Sequence, residues 1–269
     1  MTREPAVAGT FYPAEKERLA HLVERFLDRA REVEVPGGLK GVIVPHAGYV
    51  FSGPVAATGF KLVQKQHLKN PIVILTGASH QAFFEGLVFP EYTAFETPLG
   101  KIQVEESARE ILKKYPEVVI SDIPHKFEHS LEVELPFLQK VISSFTIVPL
   151  LFGEGDYHRA GEILVELYNQ LPSDRQLFLV VSTDLSHYQT YLAAKELDSQ
   201  TCRAIVSLQP ERIPLEGACG RRALQAILVL AQKAGWKIQL LDCRNSGDIT
   251  GNKIQVVGYA AFAIFNPKE

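Results

Sequence analysis

The sequence predicts an α/β protein: a single three-layer α/β/α domain over residues 1–269, with helices on both faces of a largely parallel mixed sheet. Short apolar runs of the length of buried strands alternate with helix-periodic segments from one end of the chain to the other. No composition shift, solenoid-length repeat or low-complexity segment interrupts this alternation, so the sequence offers no place for a domain boundary.

Composition narrows the functional classes. The chain has 269 residues, of which 46% are hydrophobic and 22% charged, as in ordinary globular proteins. A formal net charge of −3 gives no electrostatic case for nucleic acid or an anionic membrane as partner. No stretch reads as a signal peptide or approaches the roughly 20 apolar residues of a membrane span. The three cysteines are widely spaced and form no CxxC pair, so a reducing cytoplasm is the expected location.

Periodicity and turn residues give the expected elements. Helices are predicted over 14–33, 53–66, 105–115, 130–141, 156–171, 192–208 and 221–235. Strands are predicted over 42–44, 72–75, 87–89, 101–104, 118–121, 146–152, 177–181, 237–243 and 256–265. Ser130 is expected to cap its helix, with Pro136 kinking it or marking a later start. The strands 87–89 and 101–104 are expected to form a peripheral hairpin.

Three of the buried strands end in residues that carry chemistry. The strand 42–44 is followed by His46, and the strand 72–75 by His80. After 177–181 come Asp184 and His187, three residues apart. Ligands of open α/β sheets bind beyond the carboxyl ends of the strands. A single histidine after a strand is usually satisfied by a backbone carbonyl, but three of eight at the same relative place predict a shared site.

Cys219 adds a thiol to this set, because it lies in a glycine-rich turn before an apolar helix, where thiolates are stabilised. Imidazole, carboxylate and thiolate together suit a first-row transition metal. Three histidines are the expected metal ligands: His46, His80 and His187. Asp184, His187 and Cys219 are the expected catalytic residues. The ligand types fit Fe(II) or copper, and zinc is also compatible.

Further residues are expected at the edge of this site. Four residues are candidates for orienting the ligands by hydrogen bonds: Ser79, Glu128, His129 and Ser182. Alternatively, Glu128 and His129 merely begin the helix that follows them. Cys202 is expected to pack within its helix, and Cys243 could line the same crevice as the metal ligands.

Taken together, six segments resemble the Memo family. They are AGTFYP (8–13), PHAGY (45–49), GASH (77–80), EHSLEVELPF (128–137), STDLSHY (182–188) and ACGR (218–221). The resemblance implies a fold similar to class III extradiol ring-cleavage dioxygenases, which hold non-haem iron with two histidines and a carboxylate. It implies a site of His46, His80, Asp184, His187 and Cys219, in which the cysteine departs from the dioxygenase pattern and favours redox or copper and iron handling.

The resemblance also bears on partners. Microbial Memo members often occur with a radical-SAM protein and a third small protein, and this compact chain looks more like that branch. Animal members are described as binders of phosphotyrosine peptides, but Phe11 and Arg222 depart from their pattern at the proposed peptide rim. Peptide binding is therefore not carried over.

Three interpretations of function stay open. The first is a metal-dependent, oxygenase-like redox protein whose small-molecule or peptide substrate the sequence does not name, and whose status as an enzyme it leaves undecided. The second is a non-catalytic scaffold that holds a peptide or partner protein in the same crevice. The third is a thiol hydrolase with Cys219 as nucleophile, a histidine as base and Asp184 orienting that base.

Overall fold

The computed structural model describes residues 1–269 and contains one mixed sheet of twelve strands. The strands are β1 (Thr2–Arg3), β2 (Gly38–Val44), β3 (Ile72–Ala78), β4 (Leu87–Phe89), β5 (Ala94–Thr97), β6 (Gly100–Val104), β7 (Val118–Ile120), β8 (Thr146–Phe152), β9 (Leu177–Ser182), β10 (His187–Gln189), β11 (Lys237–Asn245) and β12 (Val256–Asn266). The helices are α1 (Lys16–Arg29), α2 (Tyr49–Lys65), α3 (Glu106–Leu112), α4 (Leu135–Val141), α5 (Tyr157–Gln170), α6 (Tyr191–Val206), α7 (Arg221–Ala234) and α8 (Ser246–Thr250).

The centre of the sheet is parallel. Its main path runs β1-β5-β6-β8-β3-β9-β2-β12-β10, and β6, β8, β3, β9 and β2 pair in parallel. Ser182 at the end of β9 lies opposite both Val44 of β2 and Gly77 of β3. The carboxyl ends of these three neighbouring strands therefore meet at one edge of the sheet.

Helices cover both faces of the sheet, which makes the three-layer arrangement that the sequence predicts. On one face α1, α2 and α4 contact one another, and α2 lies against β2 and β12. On the other face α5 packs on α7, which lies against β3, β8 and β9. A core of 71 buried residues fills the space between the layers. None of the helices is long and apolar enough to cross a membrane.

Two details of the predicted elements are wrong. Ser130 does not cap a helix: a 3₁₀ turn at Glu132–Glu134 precedes α4, which begins at Leu135 with Pro136 in its first turn. The Ser130 hydroxyl instead donates to the carbonyl of Ala78 at 2.7 Å. The hairpin pairs β5 with β6, because Pro98 and Leu99 form its tight turn, whereas β4 pairs with β7 and β8.

Candidate metal centre

Three side chains converge at the edge where β2, β3 and β9 end. His46 follows β2, His80 follows β3, and Cys219 precedes α7. The ligand atoms of these three residues all lie within 4.8 Å of one another. Nε2 of His46 lies 3.3 Å from Sγ of Cys219, and the rings of His46 and His80 are 5.2 Å apart between centroids. His46 is buried, whereas His80 and Cys219 are partly open to solvent.

A second group shares His80 and adds Glu128 and His129. The rings of His80 and His129 stack with their centroids 4.5 Å apart, and Phe11 covers His129 at 4.8 Å. The two groups therefore form one continuous cluster with His80 at its middle. The sequence singles out Glu128 and His129 only as orienting residues, because the segment between β7 and α4 gives no strand-end signal.

Hydrogen bonds hold the Nδ1 atom of each predicted histidine ligand. His46 Nδ1 lies 2.8 Å from Ser182 Oγ, whose own hydrogen points to the carbonyl of Ser130 at 2.6 Å. His187 Nδ1 donates to the carbonyl of Leu185 at 2.9 Å. Because Nδ1 of these two rings carries the proton, Nε2 keeps the lone pair that a metal would bind.

His80 is held by a carboxylate instead. Its Nδ1 lies 2.9 Å from Oε1 of Glu128, which is almost fully buried. Burial opposes the charge of both groups, yet hydrogen bonds to Cys219 and Glu128 raise the pKa of His80 to about 10. The same contact with His80 and two further backbone donors outweigh burial and lower the pKa of Glu128 to about 2. Without a metal, His80 is thus a cation beside a carboxylate.

His46 and His129 are neutral by contrast. Burial, together with the imidazoles of His80, His129 and His187, holds the pKa of His46 well below its usual range. Burial also lowers the pKa of His129 to about 4, against the attraction of Glu128. Neutral imidazole is the form that binds a metal, so His46 needs no deprotonation to serve as a ligand.

Asp184 supports the site from beneath. Its carboxylate accepts the backbone N–H groups of His46 and Ala47, at 2.9 and 3.3 Å, and belongs to neither ligand group. Its own backbone N–H points to Sγ of Cys219 at 3.3 Å. Burial raises the pKa of Asp184 to about 7, although the two backbone donors oppose this. Asp184 therefore fixes the positions of His46 and Cys219 without touching the His46 ring.

His187 stands at the border of the cluster, outside both ligand groups. It begins β10, and its neighbour Tyr188 has φ 57°, a left-handed conformation that is uncommon for an aromatic residue. Burial lowers the pKa of His187, so its ring is neutral and its Nε2 free. Ser79, next to His80, lines a pocket with Cys219, and its Oγ donates to the carbonyl of Ala82 at 2.7 Å. Cys243 lies elsewhere and contacts Cys202.

One buried acid escapes sequence analysis. Glu134 is fully buried in the 3₁₀ turn, and its Oε1 lies 2.8 Å from Ser182 Oγ, the hydroxyl that holds His46. Burial raises the pKa of Glu134 well above its usual range, which favours the neutral carboxylic acid. Its position in EVELPF resembles that of any acidic residue in a first helical turn, so no local pattern marks it.

The donor set of the first group fits a transition metal. Two imidazole nitrogens and one thiol sulfur are ligands of iron, copper and zinc, whereas magnesium and calcium prefer oxygen. Hydrogen bonds hold Nδ1 of both His46 and His80, as is usual for histidines that bind a metal through Nε2.

Comparison with known proteins identifies the family. The family model described as "Memo-like protein" matches residues 3–263. The chain belongs to the Memo family. A MEMO1 family protein of Thermoplasma volcanium is 34% identical over 270 residues, covering 97% of both chains. MEMO1 family proteins of Nitrosopumilus maritimus and Methanopyrus kandleri are 32% and 35% identical, covering 97% of this chain and 98% of theirs.

A solved structure is also similar to this Memo-family chain. An uncharacterized protein of Escherichia coli K12, JW3007, aligns with 82% of this chain and 99% of its own, with a TM-score of 0.46 and 14% identity.

Proposed function

We propose that this Memo-family chain binds one iron(II) or copper(I) ion through His46, His80 and Cys219 and acts as an oxygenase-like redox protein. The observation that carries the proposal is the convergence of two imidazole nitrogens and one sulfur within 4.8 Å. Such an ion would supply one-electron redox chemistry, which none of the side chains of the cluster provides by itself.

The residues around the ligands have distinct roles in this proposal. Ser182 and Glu128 fix the rings of His46 and His80, and Asp184 fixes the backbone that carries His46. His187 is neutral and half-buried, with Nε2 free, so it is the group suited to take a proton from a substrate. His80 must lose its proton before it can bind the ion.

A second function, thiol-based hydrolysis, is favoured by one distance. Cys219 Sγ and His46 Nε2 lie 3.3 Å apart, which is within reach for a nucleophile and its base. In this arrangement Ser182 contacts the far side of the base, since the Asp184 carboxylate binds backbone amides instead. Selective alkylation of Cys219 near neutral pH, slowed in His46→Ala, is the expected signature of this alternative.

Anaerobic calorimetric titration tests the metal proposal. Apo-protein is titrated with Fe(II), Cu(I) and Zn(II), and the titration is repeated on His46→Ala, His80→Ala and Cys219→Ser. We expect one tight Fe(II) or Cu(I) site that each substitution weakens by at least ~10–100-fold. His158→Ala is the matched control, because His158 is exposed and outside the cluster.

Two results of these titrations would contradict the proposal. If the substitutions leave iron and copper binding unchanged, the ligand assignment is wrong. If zinc alone binds, the redox proposal is wrong.

A further inference from the structure

Two cysteines that lie far apart in sequence meet away from the candidate metal centre. Cys202 lies in α6 and Cys243 in β11, and their sulfur atoms are 4.0 Å apart. Both are free thiols, and neither belongs to the ligand groups of the metal centre. The sequence gives no sign of this pair, since the two cysteines are 41 positions apart.

A cavity of about 440 Å³ gives access to the pair. Cys243 is exposed in its wall, whereas Cys202 is 6% exposed and packed in the core. Lys195, Arg203 and Arg244 also line the cavity. Asp198 and Asp248 line it as well, so the cavity wall carries charges of both signs. The thiolate is the nucleophile in disulfide exchange. A small disulfide can therefore reach the sulfur of Cys243 through this cavity.

The two thiols differ in the roles they can take. Cys202 donates a hydrogen bond to Cys243, and this contact lowers the pKa of Cys243. The exposed Cys243 is therefore suited to attack a reagent from the cavity. The buried Cys202 is in position to attack Cys243 in turn, because its sulfur is already the neighbour of the reacting atom.

We propose that Cys202 and Cys243 form a redox-active dithiol that exchanges with low-molecular-weight disulfides. Cys243 gives up its proton, attacks one sulfur of the small disulfide and releases the other half as a thiol. Cys202 then gives up its proton and attacks Sγ of Cys243, which releases the second small thiol. Two protein thiols are oxidised by two electrons to one disulfide, and the reagent is reduced to two thiols.

Only a small movement is needed for closure. The sulfur atoms must approach from 4.0 Å to about 2.05 Å, the length of a disulfide bond. The movement falls to Cys243 at the exposed surface of the sheet, because Cys202 is packed in the core.

Glutathione disulfide is the probe that tests the proposal. The reduced full-length protein is incubated with it at neutral pH, quenched with an alkylating agent, and analysed by intact mass and non-reducing peptide mapping. We expect a product that can take up one alkyl group where the reduced protein can take up three, and in which one disulfide joins the peptides of Cys202 and Cys243. Cys219 is expected to remain outside that crosslink.

Two serine variants separate the roles of the sulfurs. Cys202→Ser should stop the reaction at a mixed disulfide, so the protein gains one glutathionyl group at Cys243. Cys243→Ser should remove that adduct and the crosslink together. The proposal is overturned if the wild-type protein forms no 202–243 crosslink, if only mixed adducts accumulate, or if Cys219 is the cysteine that becomes crosslinked. The wild-type mapping decides the question even where a variant fails to fold.

Discussion

Glu128 is the residue that organises the cluster. Its Oε1 accepts from Nδ1 of His80 and from the backbone N–H groups of His129 and Ser130, and its Oε2 accepts from the backbone of His80. One buried carboxylate therefore positions the ring and the backbone of His80 and also the backbone of His129 and Ser130. Such hydrogen bonds are worth more than average because the acceptor is charged.

Glu128→Gln should weaken metal binding by ~10–100-fold, because the amide keeps the shape but no longer stabilises the proton on Nδ1 of His80. Calorimetric titration with the tightest-binding metal measures the change. Glu105→Gln is the control, since Glu105 has a similar network with Arg175, Ser107 and Thr146 outside the cluster. Equal affinities of Glu128→Gln and wild type would contradict this role.

His125 makes stability depend on pH. Burial lowers its pKa from 6.5 to about 3, while Nε2 bonds to the carbonyl of Val88. Below pH 6.5 the His125 ring binds a proton in the unfolded chain, but in the folded protein it stays neutral until the pH approaches 3. The contribution of the neutral His125 ring to the free energy of unfolding is therefore complete above pH 6.5 and is lost as the pH falls towards 3.

Urea unfolding of wild type and His125→Gln at pH 7.5 and 5 measures this contribution. Between pH 7.5 and pH 5 the free energy of unfolding of the wild type should fall by about 2 kcal/mol more than that of the variant, since one pKa unit corresponds to about 1.36 kcal/mol. Gln can still donate to Val88, so packing is largely kept. An identical pH dependence of the two proteins would show that His125 does not titrate as described.

At this scale the sequence predicts some residues and misses others for a physical reason. His46 and His80 lie two residues beyond the end of a strand, and Cys219 lies two residues before a helix, so a local pattern marks them. Glu134 reaches Ser182 across 48 positions, and Cys202 reaches Cys243 across 41, so only the folded chain brings them together. Residues whose partners are distant in sequence carry no local signal.

Among the elements, β12 and α6 hold the loop that carries His187. Leu185 N–H donates to the carbonyl of Gly258, and Ser186 N–H donates to Asp198 of α6 at 3.0 Å. A Cβ atom at Gly258 would lie 2.1 Å from Oδ2 of Asp198. Glycine is therefore required in β12 where the buried carboxylate approaches the strand.

Gly258→Ala should destabilise the fold by about 1–3 kcal/mol, because the added methyl displaces the Asp198 carboxylate. Chemical denaturation measures the change in the free energy of unfolding. Combining it with Asp198→Ala should cost less than the sum of the two single substitutions, since the obstacle to the methyl is then gone. Strict additivity would mean that the two residues do not share this contact.

The element pattern was predictable where strands are apolar and buried. Each of β2, β3, β8 and β9 contains a continuous apolar run, which predicts both the existence of these strands and their place at the centre of the sheet. The prediction that Ser130 caps a helix is wrong because its hydroxyl donates to the carbonyl of Ala78. This tertiary contact overrides the local preference of serine for a helix N-terminus. The edge strands β1 and β10 are two and three residues long, too short to show a period.

Over the whole molecule, the N-terminal segment closes against the cluster through a buried ion pair. Arg3 binds Glu132 at 2.7 Å with both side chains nearly inaccessible to solvent. Glu132 also accepts from Ala6, Val7 and Tyr12, and the carbonyl of Phe11 accepts from Tyr49. The segment that places Phe11 over His129 is therefore tied down by one carboxylate.

Arg3→Met should destabilise the protein by about 3–5 kcal/mol, because Glu132 is left as an uncompensated buried charge. Thermal or urea unfolding measures the loss. Lys113→Met, which removes an exposed ion pair with Glu110, should change stability little. A similar effect of the two substitutions would contradict the role of the buried pair.

The central claim is that His46, His80 and Cys219 hold one redox-active metal ion. The most direct test is a crystal structure of the protein loaded anaerobically with Fe(II) or Cu(I), with diffraction data collected at the absorption edge of that metal. We expect a single anomalous peak bonded to Nε2 of His46, Nε2 of His80 and Sγ of Cys219. A peak at another place, or none in protein shown by elemental analysis to contain the metal, would contradict the account.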